Sequence, residues 1–308
     1  MNMKRIAFVF PGQGSQYVGM GKELCDNFGI ARQVFEEADD TLRFSISGLC
    51  FLGPEEALKL TENTQPAVLT TSIAALKVLQ SEKGVIPHFA AGHSLGEYSA
   101  LVAAGAFTFP DAVRIVRLRG KFMQEAVPVG EGAMAAILGM ERERIEKLCE
   151  ESSTGEVLSP ANFNCPGQIV IAGHSAAVQR AVERAKQEGK KAVLLPVSAP
   201  FHSPLMKPAG FRLERELQEI SVKDLSVPVV TNVEAEPNRS RERVKELLVA
   251  QMSSPVRWEE SMRRMIEEGV EQVLEIGPGK VLSGLMKRID SRVETGNLED
   301  LQTLKKLN

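Results

Sequence analysis

Two periodicities divide this chain. Short apolar runs bounded by turn residues, at 6–10, 89–91, 227–231 and 273–276, predict buried strands. Between them, apolar residues recur every three or four positions at 65–80, 111–126, 208–220, 241–252 and 258–268, which predicts amphipathic helices. Strands alternating with helices fit a mainly parallel sheet covered on both faces, so the expected fold class is α/β. The middle of the chain reads differently. Strands at 133–138, 157–162, 168–172 and 191–197 and helices at 141–152 and 175–187 follow the order β-α-β-β-α-β, with a Cys165-Pro166-Gly167 turn between the second and third strands. That order is the ferredoxin-like unit. It begins at Pro128-Val129-Gly130 and ends at Ala199-Pro200. The expectation is a small domain of residues 129–198 inserted into a large domain of residues 1–128 and 199–308.

Composition narrows the class. At 308 residues, 43% hydrophobic and 25% charged, the chain has the make-up of a soluble enzyme. A formal net charge of -3 with scattered basic residues gives no footprint for nucleic acid. Cys25, Cys50, Cys149 and Cys165 form neither a C-x-x-C pair nor a disulfide framework. The first apolar run stops after five residues at Pro11-Gly12, too short for a signal peptide. A reducing cytoplasm is therefore expected, and no run approaches the ~20 apolar residues of a membrane helix.

Gly92-His93-Ser94-Leu95-Gly96 stands between the second strand and a small-residue helical segment. A Gly-x-Ser-x-Gly turn in that context presents a reactive serine at a strained corner, as in α/β-hydrolases. The serine needs a base, and the chain has four histidines. His93 reads as a packed residue beneath the turn, and His88 and His174 as surface residues. His202 lies in Ala199-Pro200-Phe201-His202-Ser203-Pro204, where the chain re-enters the large domain between two stiffening prolines. It is the candidate base. No acid stands out between Ser94 and His202, so a backbone carbonyl or an amide is expected to orient the imidazole.

An oxyanion hole needs N–H donors aimed at the developing charge. The backbone N–H of Leu95 supplies one, and the glycine-rich loop Pro11-Gly12-Gln13-Gly14-Ser15-Gln16 after the first strand supplies the other, at Gln13. That loop is not a dinucleotide fingerprint, because Tyr17 replaces the last glycine. Gly277-Pro278-Gly279-Lys280 is not a phosphate-binding loop either, since Leu274 and Val281 break its pattern. On the helix at 111–126, Arg114, Arg117 and Lys121 occupy one side, while Arg119 falls among Ala112, Ile115, Val116, Phe122, Met123 and Ala126. A permanently charged arginine on an apolar face needs an anion. A buried salt bridge and a bidentate clamp for a substrate carboxylate both satisfy that need. No metal-ligand spacing is present, and no metal or other cofactor is expected.

In combination these motifs resemble the malonyl-CoA:acyl carrier protein transacylase family over nearly the whole chain. The resemblance is carried by Phe10-Pro11-Gly12-Gln13-Gly14-Ser15-Gln16, Thr64-Gln65-Pro66-Ala67 and Gly92-His93-Ser94-Leu95-Gly96-Glu97-Tyr98. It continues through Arg117-Leu118-Arg119-Gly120, Asn162-Phe163-Asn164-Cys165-Pro166-Gly167-Gln168 and Pro200-Phe201-His202-Ser203. Gln251-Met252-Ser253-Ser254-Pro255-Val256-Arg257-Trp258 and Glu275-Ile276-Gly277-Pro278-Gly279 complete it. The family implies that Ser94 is acylated, His202 is the base, Arg119 holds a malonyl carboxylate and Gln13 lies in the oxyanion hole. It implies further that Gln251 orients the histidine through its backbone carbonyl, and that Gln65, Met123, Asn162 and Val281 line the cleft. Phe201 matches the malonyl-selective form of its segment.

Malonyl-CoA and acyl carrier protein are then the expected partners of a monomeric enzyme that feeds fatty acid synthesis. Lys186, Lys190 and Lys191 are candidates to receive an acidic carrier, or are simply solvated charges. A serine thioesterase, a non-catalytic acyl-CoA-binding module and a loader for a polyketide or methylmalonyl pathway remain open alternatives. The tail from Arg292 onward matches no motif.

Overall fold

The computed structural model describes residues 4–197 and 199–307. Residues 1–3, Asn308 and Ser198, the last residue of the expected insertion, lie outside the described residues. Strands β1 (Ile6–Phe10), β2 (Phe89–Gly92), β3 (Gly132–Leu138), β4 (Leu158–Cys165) and β5 (Gln168–His174) are followed by β6 (Lys191–Leu194), β7 (Val229–Val230), β8 (Pro237–Asn238), β9 (Gln272–Ile276) and β10 (Glu294–Leu298). They form two sheets. One has six strands in the order β10-β9-β1-β2-β7-β8, all parallel except the terminal β7–β8 pair. The other has four antiparallel strands in the order β4-β5-β3-β6. The expected α/β class with a mainly parallel sheet is borne out.

The pattern of β1 explains the covering of the first sheet. Phe8 and Phe10 enter a core with Val68, Leu69 and Leu76 of the helix Thr61–Lys83. Ala7 and Val9, on the opposite face, pack with Trp258, Met262 and Met286. A strand buried on both faces reads as a continuous apolar run, as Ile6–Phe10 does. The helix Phe109–Glu125 reaches Thr61–Lys83 so closely that a Cβ at Gly120 would lie 2.6 Å from the Thr61 carbonyl oxygen. Only glycine permits that approach, and it brings Arg119 beside Gln65.

In the second sheet the helices Arg142–Ser153 and Ser175–Gln187 bury Ile145, Leu148, Val178 and Val182 against Ala135, Ile137 and Ile171. Met134, Val170 and Ala172 face the other way, into the core of the first sheet. β6 stops at Leu194, short of the expected 197, because Pro196 has no N–H to continue the ladder. A parallel bridge between Asn162 of β4 and Val256, in the segment before the helix Trp258–Glu267, ties the second sheet to the rest of the chain. There Phe163 N–H donates to the Val256 carbonyl (2.9 Å) and Val256 N–H to the Ala161 carbonyl (2.8 Å).

Elements beyond the expectation appear at both ends. Four helices, Lys22–Asn27, Gly29–Leu42, Ile46–Leu52 and Glu55–Leu58, occupy the span before Thr61. The tail supplies β10, which pairs with β9 over five register positions, and a short helix Leu301–Lys306 closed by an Asp300–Thr303 capping box. The loops after β1, β2 and β9 meet at the carboxyl ends of adjacent strands. There the strand order runs outward in two directions, which is where open α/β sheets bind ligands.

A Cβ at Gly92 would fall 1.9 Å from the Gly96 carbonyl carbon, whereas one at Gly29 meets nothing within 4 Å. Gly92→Ala should lower the free energy of unfolding by about 2 kcal/mol or more, and Gly29→Ala should change it by less than about 0.5 kcal/mol. Urea titration of the two variants checks the contrast.

Candidate active site

The turn after β2 is a strained corner. Ser94 has φ of 51°, in the left-handed region that a non-glycine residue seldom occupies. Its neighbours hold it there. Ser94 N–H donates to Asn232 Oδ1 at 2.7 Å, and Asn232 Nδ2 donates to the Gly92 carbonyl at 2.7 Å. The Ser94 carbonyl accepts from Glu97 N–H and from Gln251 Nε2, both at 3.1 Å. The glycines let the strand, the following helix and the β1 loop close in. A Cβ at Gly96 would lie 2.1 Å from the Phe10 carbonyl oxygen, and one at Gly12 would lie 2.5 Å from that of His93.

His202 reaches this corner from the loop after the second sheet. That loop is braced by Ser203 Oγ donating to the Pro200 carbonyl (2.7 Å), and His202 itself adopts φ of 59°. The imidazole is 3% exposed. Nδ1 lies 2.9 Å from the Gln251 carbonyl and Nε2 lies 2.7 Å from Ser94 Oγ. A carbonyl can only accept, so Nδ1 carries the hydrogen and the Nε2 lone pair faces the serine hydroxyl. Burial, reinforced by the nearby Arg119 charge, pushes the His202 pKa down from 6.5 to about 3, which keeps the ring neutral. The expectation that something other than a carboxylate orients this histidine fits that geometry.

Arg119 is 1% exposed. Its Nη1 donates to Gln65 Oε1 (2.8 Å), and its Nη2 donates to Gln251 Oε1 (2.8 Å) and to Ser94 Oγ (3.0 Å). The guanidinium carbon stands 5.5 Å from the centre of the Tyr98 ring, and Nε finds no acceptor among the described residues. No described carboxylate lies within ion-pair distance of Arg119, so the buried salt bridge weighed above is not present. Burial therefore disfavours a positive charge beside the serine oxygen that has no ion-pair partner and is steadied only at longer range by Glu97 and Tyr98.

A cavity of about 110 Å³ opens over Ser94. Gln13, Gln65, Leu95, Arg119, Met123, Asn162, Phe201 and His202 all line it, together with His93, Met134, Leu195 and Val197. Gln13 Nε2 donates to Thr61 Oγ1 at 3.5 Å, and Gln65 Nε2 approaches Met123 Sδ at 3.6 Å. The backbone N–H groups of Gln13 and Leu95 meet no acceptor among the described residues. Gln251 lies fully buried beneath the serine rather than in the wall.

Val281 departs from the expectation. It begins the helix Val281–Ile289, is 51% exposed and does not line the cavity. Glu275 of β9 accepts from the N–H groups of Leu282 and Ser283, which pins the helix start over β9 and leaves Val281 outside. His174 also departs from its reading as a surface residue, being half-buried with Nδ1 accepting from Val157 N–H. His88 is exposed, and His93 is held by Asn164 Oδ1 (2.9 Å) against Trp258, as expected of a packed residue. Lys186, Lys190 and Lys191 are exposed.

Three groups escape the sequence reading altogether: Asn232, the Gln251 side-chain amide and Glu97. Glu97 is a buried acid whose pKa rises to about 7 because burial disfavours its charge. A polar pair, Thr231-Asn232, immediately after a buried strand was the available signal for the first of these. Among the described residues no helix is long and apolar enough to cross a membrane, and no group of three or more His, Cys, Asp or Glu is placed to hold a metal ion.

Comparison with known proteins agrees with this geometry. The family described as "Acyl transferase domain" matches residues 7–300. The malonyl CoA-acyl carrier protein transacylase of Bacillus subtilis is 53% identical over 304 residues, covering 98% of this chain and 96% of its own. An acyl carrier protein S-malonyltransferase from Vibrio cholerae superposes with a TM-score of 0.96 at 46% identity, covering 99% of this chain and all of its own. A malonyl-transacylase solved in complex with a type II PKS acyl-carrier protein superposes equally well, with a TM-score of 0.96 at 47% identity and 98% of each chain covered. The chain belongs to the malonyl CoA-acyl carrier protein transacylase family of acyl transferases.

Proposed function

We propose that this chain transfers the malonyl group of malonyl-CoA to the phosphopantetheine thiol of acyl carrier protein, through a malonyl ester on Ser94, to supply fatty acid synthesis in the cytoplasm. The observation that carries the reading is the Arg119 guanidinium, buried without a carboxylate partner and 3.0 Å from Ser94 Oγ. A malonyl group bound as a thioester ends in a free carboxylate, the anion this cation lacks.

His202 Nε2 takes the Ser94 proton as Oγ attacks the thioester carbonyl carbon. The N–H groups of Leu95 and Gln13, free of other acceptors among the described residues, stabilise the tetrahedral oxyanion. When the carbon–sulfur bond breaks, His202 returns its proton to the departing CoA sulfur. The carrier thiol then gives its proton to His202, attacks the malonyl ester and regenerates Ser94. Malonyl-CoA enters as a substrate, and the steps draw only on side chains and backbone of this chain. Gln65 and Gln251 hold the guanidinium, while Met123, Asn162 and Phe201 bound the space left for the acyl group. Water competes with the carrier thiol at the ester. A base oriented by a neutral carbonyl stabilises its imidazolium less than one oriented by a carboxylate, and so activates water less.

Residues 129–198 read as an inserted ferredoxin-like small domain, a reading supported by the order β4-β5-β3-β6 with two helices on one face. Residues 1–128 and 199–308 read as a large hydrolase-like domain, supported by the serine corner at the end of β2.

Intact-mass measurement after mixing with malonyl-CoA should show one malonyl adduct that persists until a thiol acceptor is added and is missing in Ser94→Ala. Rapid release of free malonate would instead mark a hydrolase. Arg119→Ala should lower malonyl transfer about 10²- to 10³-fold while sparing an uncharged acyl group such as acetyl; undiminished malonyl kcat/KM in that variant would overturn the clamp. Because burial disfavours the imidazolium, His202 should take up its proton only well below the usual 6.5. Ring ¹⁵N NMR should show the neutral Nδ1–H form from pH 8 down to pH 5, and an imidazolium at pH 6 would contradict it.

A further inference from the structure

Beneath the serine corner lies a carboxylate that the proposed chemistry leaves unused. Glu97, in the first turn of the helix Gly96–Ala103, is 2% exposed. Its Oε2 accepts from Gln251 Nε2 at 2.9 Å and from Asn232 N–H at 3.0 Å. The Gln251 amide has a donor end and an acceptor end that differ little in shape, so its neighbours decide which way it faces. Around Nε2 stand three oxygens: Glu97 Oε2, the Ser94 carbonyl at 3.1 Å and Asn232 Oδ1 at 3.4 Å. Oε1 at the other end meets a donor, Arg119 Nη2, at 2.8 Å. Turned over, the amide would press its NH₂ against the guanidinium and its oxygen against the carboxylate.

We infer that Glu97 is a positioning residue that acts through Gln251: its carboxylate fixes which end of that amide meets Arg119, and so sets the guanidinium for an acyl carboxylate. This rests on the reading of Arg119 as the malonyl clamp. Gln65 Oε1 holds Nη1 from the other side, so two amide oxygens define the plane of the fork. Losing one frees the fork to rotate, and a bidentate partner is sensitive to that rotation. The Glu97 carboxylate hydrogen-bonds neither Ser94 Oγ nor His202 among the described residues; the imidazole is oriented by the Gln251 main-chain carbonyl, while the Gln251 amide also braces the Ser94 carbonyl. Glu97 is therefore a determinant of acyl selectivity, distinct from the groups that move the proton.

Steady-state kinetics of Glu97→Met, Gln251→Met and the double variant, with malonyl-CoA and acetyl-CoA as donors, test this. Gln251→Met removes the amide and keeps the carbonyl. Each single variant should raise KM for malonyl-CoA about tenfold with a smaller fall in kcat, and the Glu97 variant should change acetyl-CoA kinetics by less than about threefold. In the double variant the Glu97 change should add less than about twofold to the Gln251 change. Equal losses for both donors in the Glu97 variant, or losses that multiply in the double variant, would overturn the inference. A Gln251→Met enzyme with unaltered malonyl preference would overturn it too, whether or not Glu97→Met folds. Arg119→Ala separates the two ideas. If it loses malonyl transfer while Glu97→Met keeps full malonyl preference, only the role of Glu97 falls. If Arg119→Ala keeps malonyl transfer, the clamp itself falls.

Discussion

A positive charge held in the interior without a negative one beside it is the constraint around which this structure is arranged. Removing a guanidinium from water costs several kcal/mol even after the surroundings relax. Here the cost is offset first by oriented neutral groups, the oxygens of Gln65, Gln251 and Ser94 and the face of Tyr98, with Glu97 attracting the charge from beyond the Gln251 amide. Those groups come from three helices and the serine corner, so the helices must meet at fixed distances for the charge to be tolerated. The tight contact at Gly120 and the burial of Gln251 follow from that requirement. What results is a site whose electrostatics are set before any substrate arrives, the arrangement that makes fixed dipoles more effective than mobile water.

The serine corner is governed by the opposite problem, backbone strain. A left-handed Ser94 persists because Asn232 ties its N–H to the end of β2 and because Gly12, Gly92 and Gly96 leave no slack around it. Asn232 follows β7 and Gln251 ends the helix Arg241–Gln251, both far along the chain from the serine. The corner is thus secured by the last third of the sequence, while the second sheet, through Met134 and Asn162, and the segment after β6, through Leu195 and Val197, supply part of the cavity wall. The bridge from Asn162 to Val256 fixes that wall to the floor.

These relationships mark the boundary of what the sequence makes legible. Local signals were sufficient for β1 and for the helix Ser175–Gln187, whose bounds match the expectation residue for residue, because a buried run or an amphipathic stripe declares itself locally. The glycine-flanked serine, the proline-framed histidine and the arginine on an apolar face were legible for the same reason. Asn232 and Glu97 were not, since their meaning lies in partners more than a hundred residues away. Strand β7 shrank to Val229–Val230, and the featureless tail became β10, because strands take their extent from the neighbours they pair with. Val281 shows the converse error. A position inherited from a motif was turned outward by Glu275, a contact that only the folded chain creates.

One consequence follows from the partner of His202. An aspartate in that place could be lost to a single substitution or neutralised by a proton, whereas the Gln251 carbonyl is open to neither. Residue 251 could change its side chain and the imidazole would keep the same tautomer. The handedness of the proton relay is therefore written in the path of the main chain, and it is inherited with the fold rather than with any one residue.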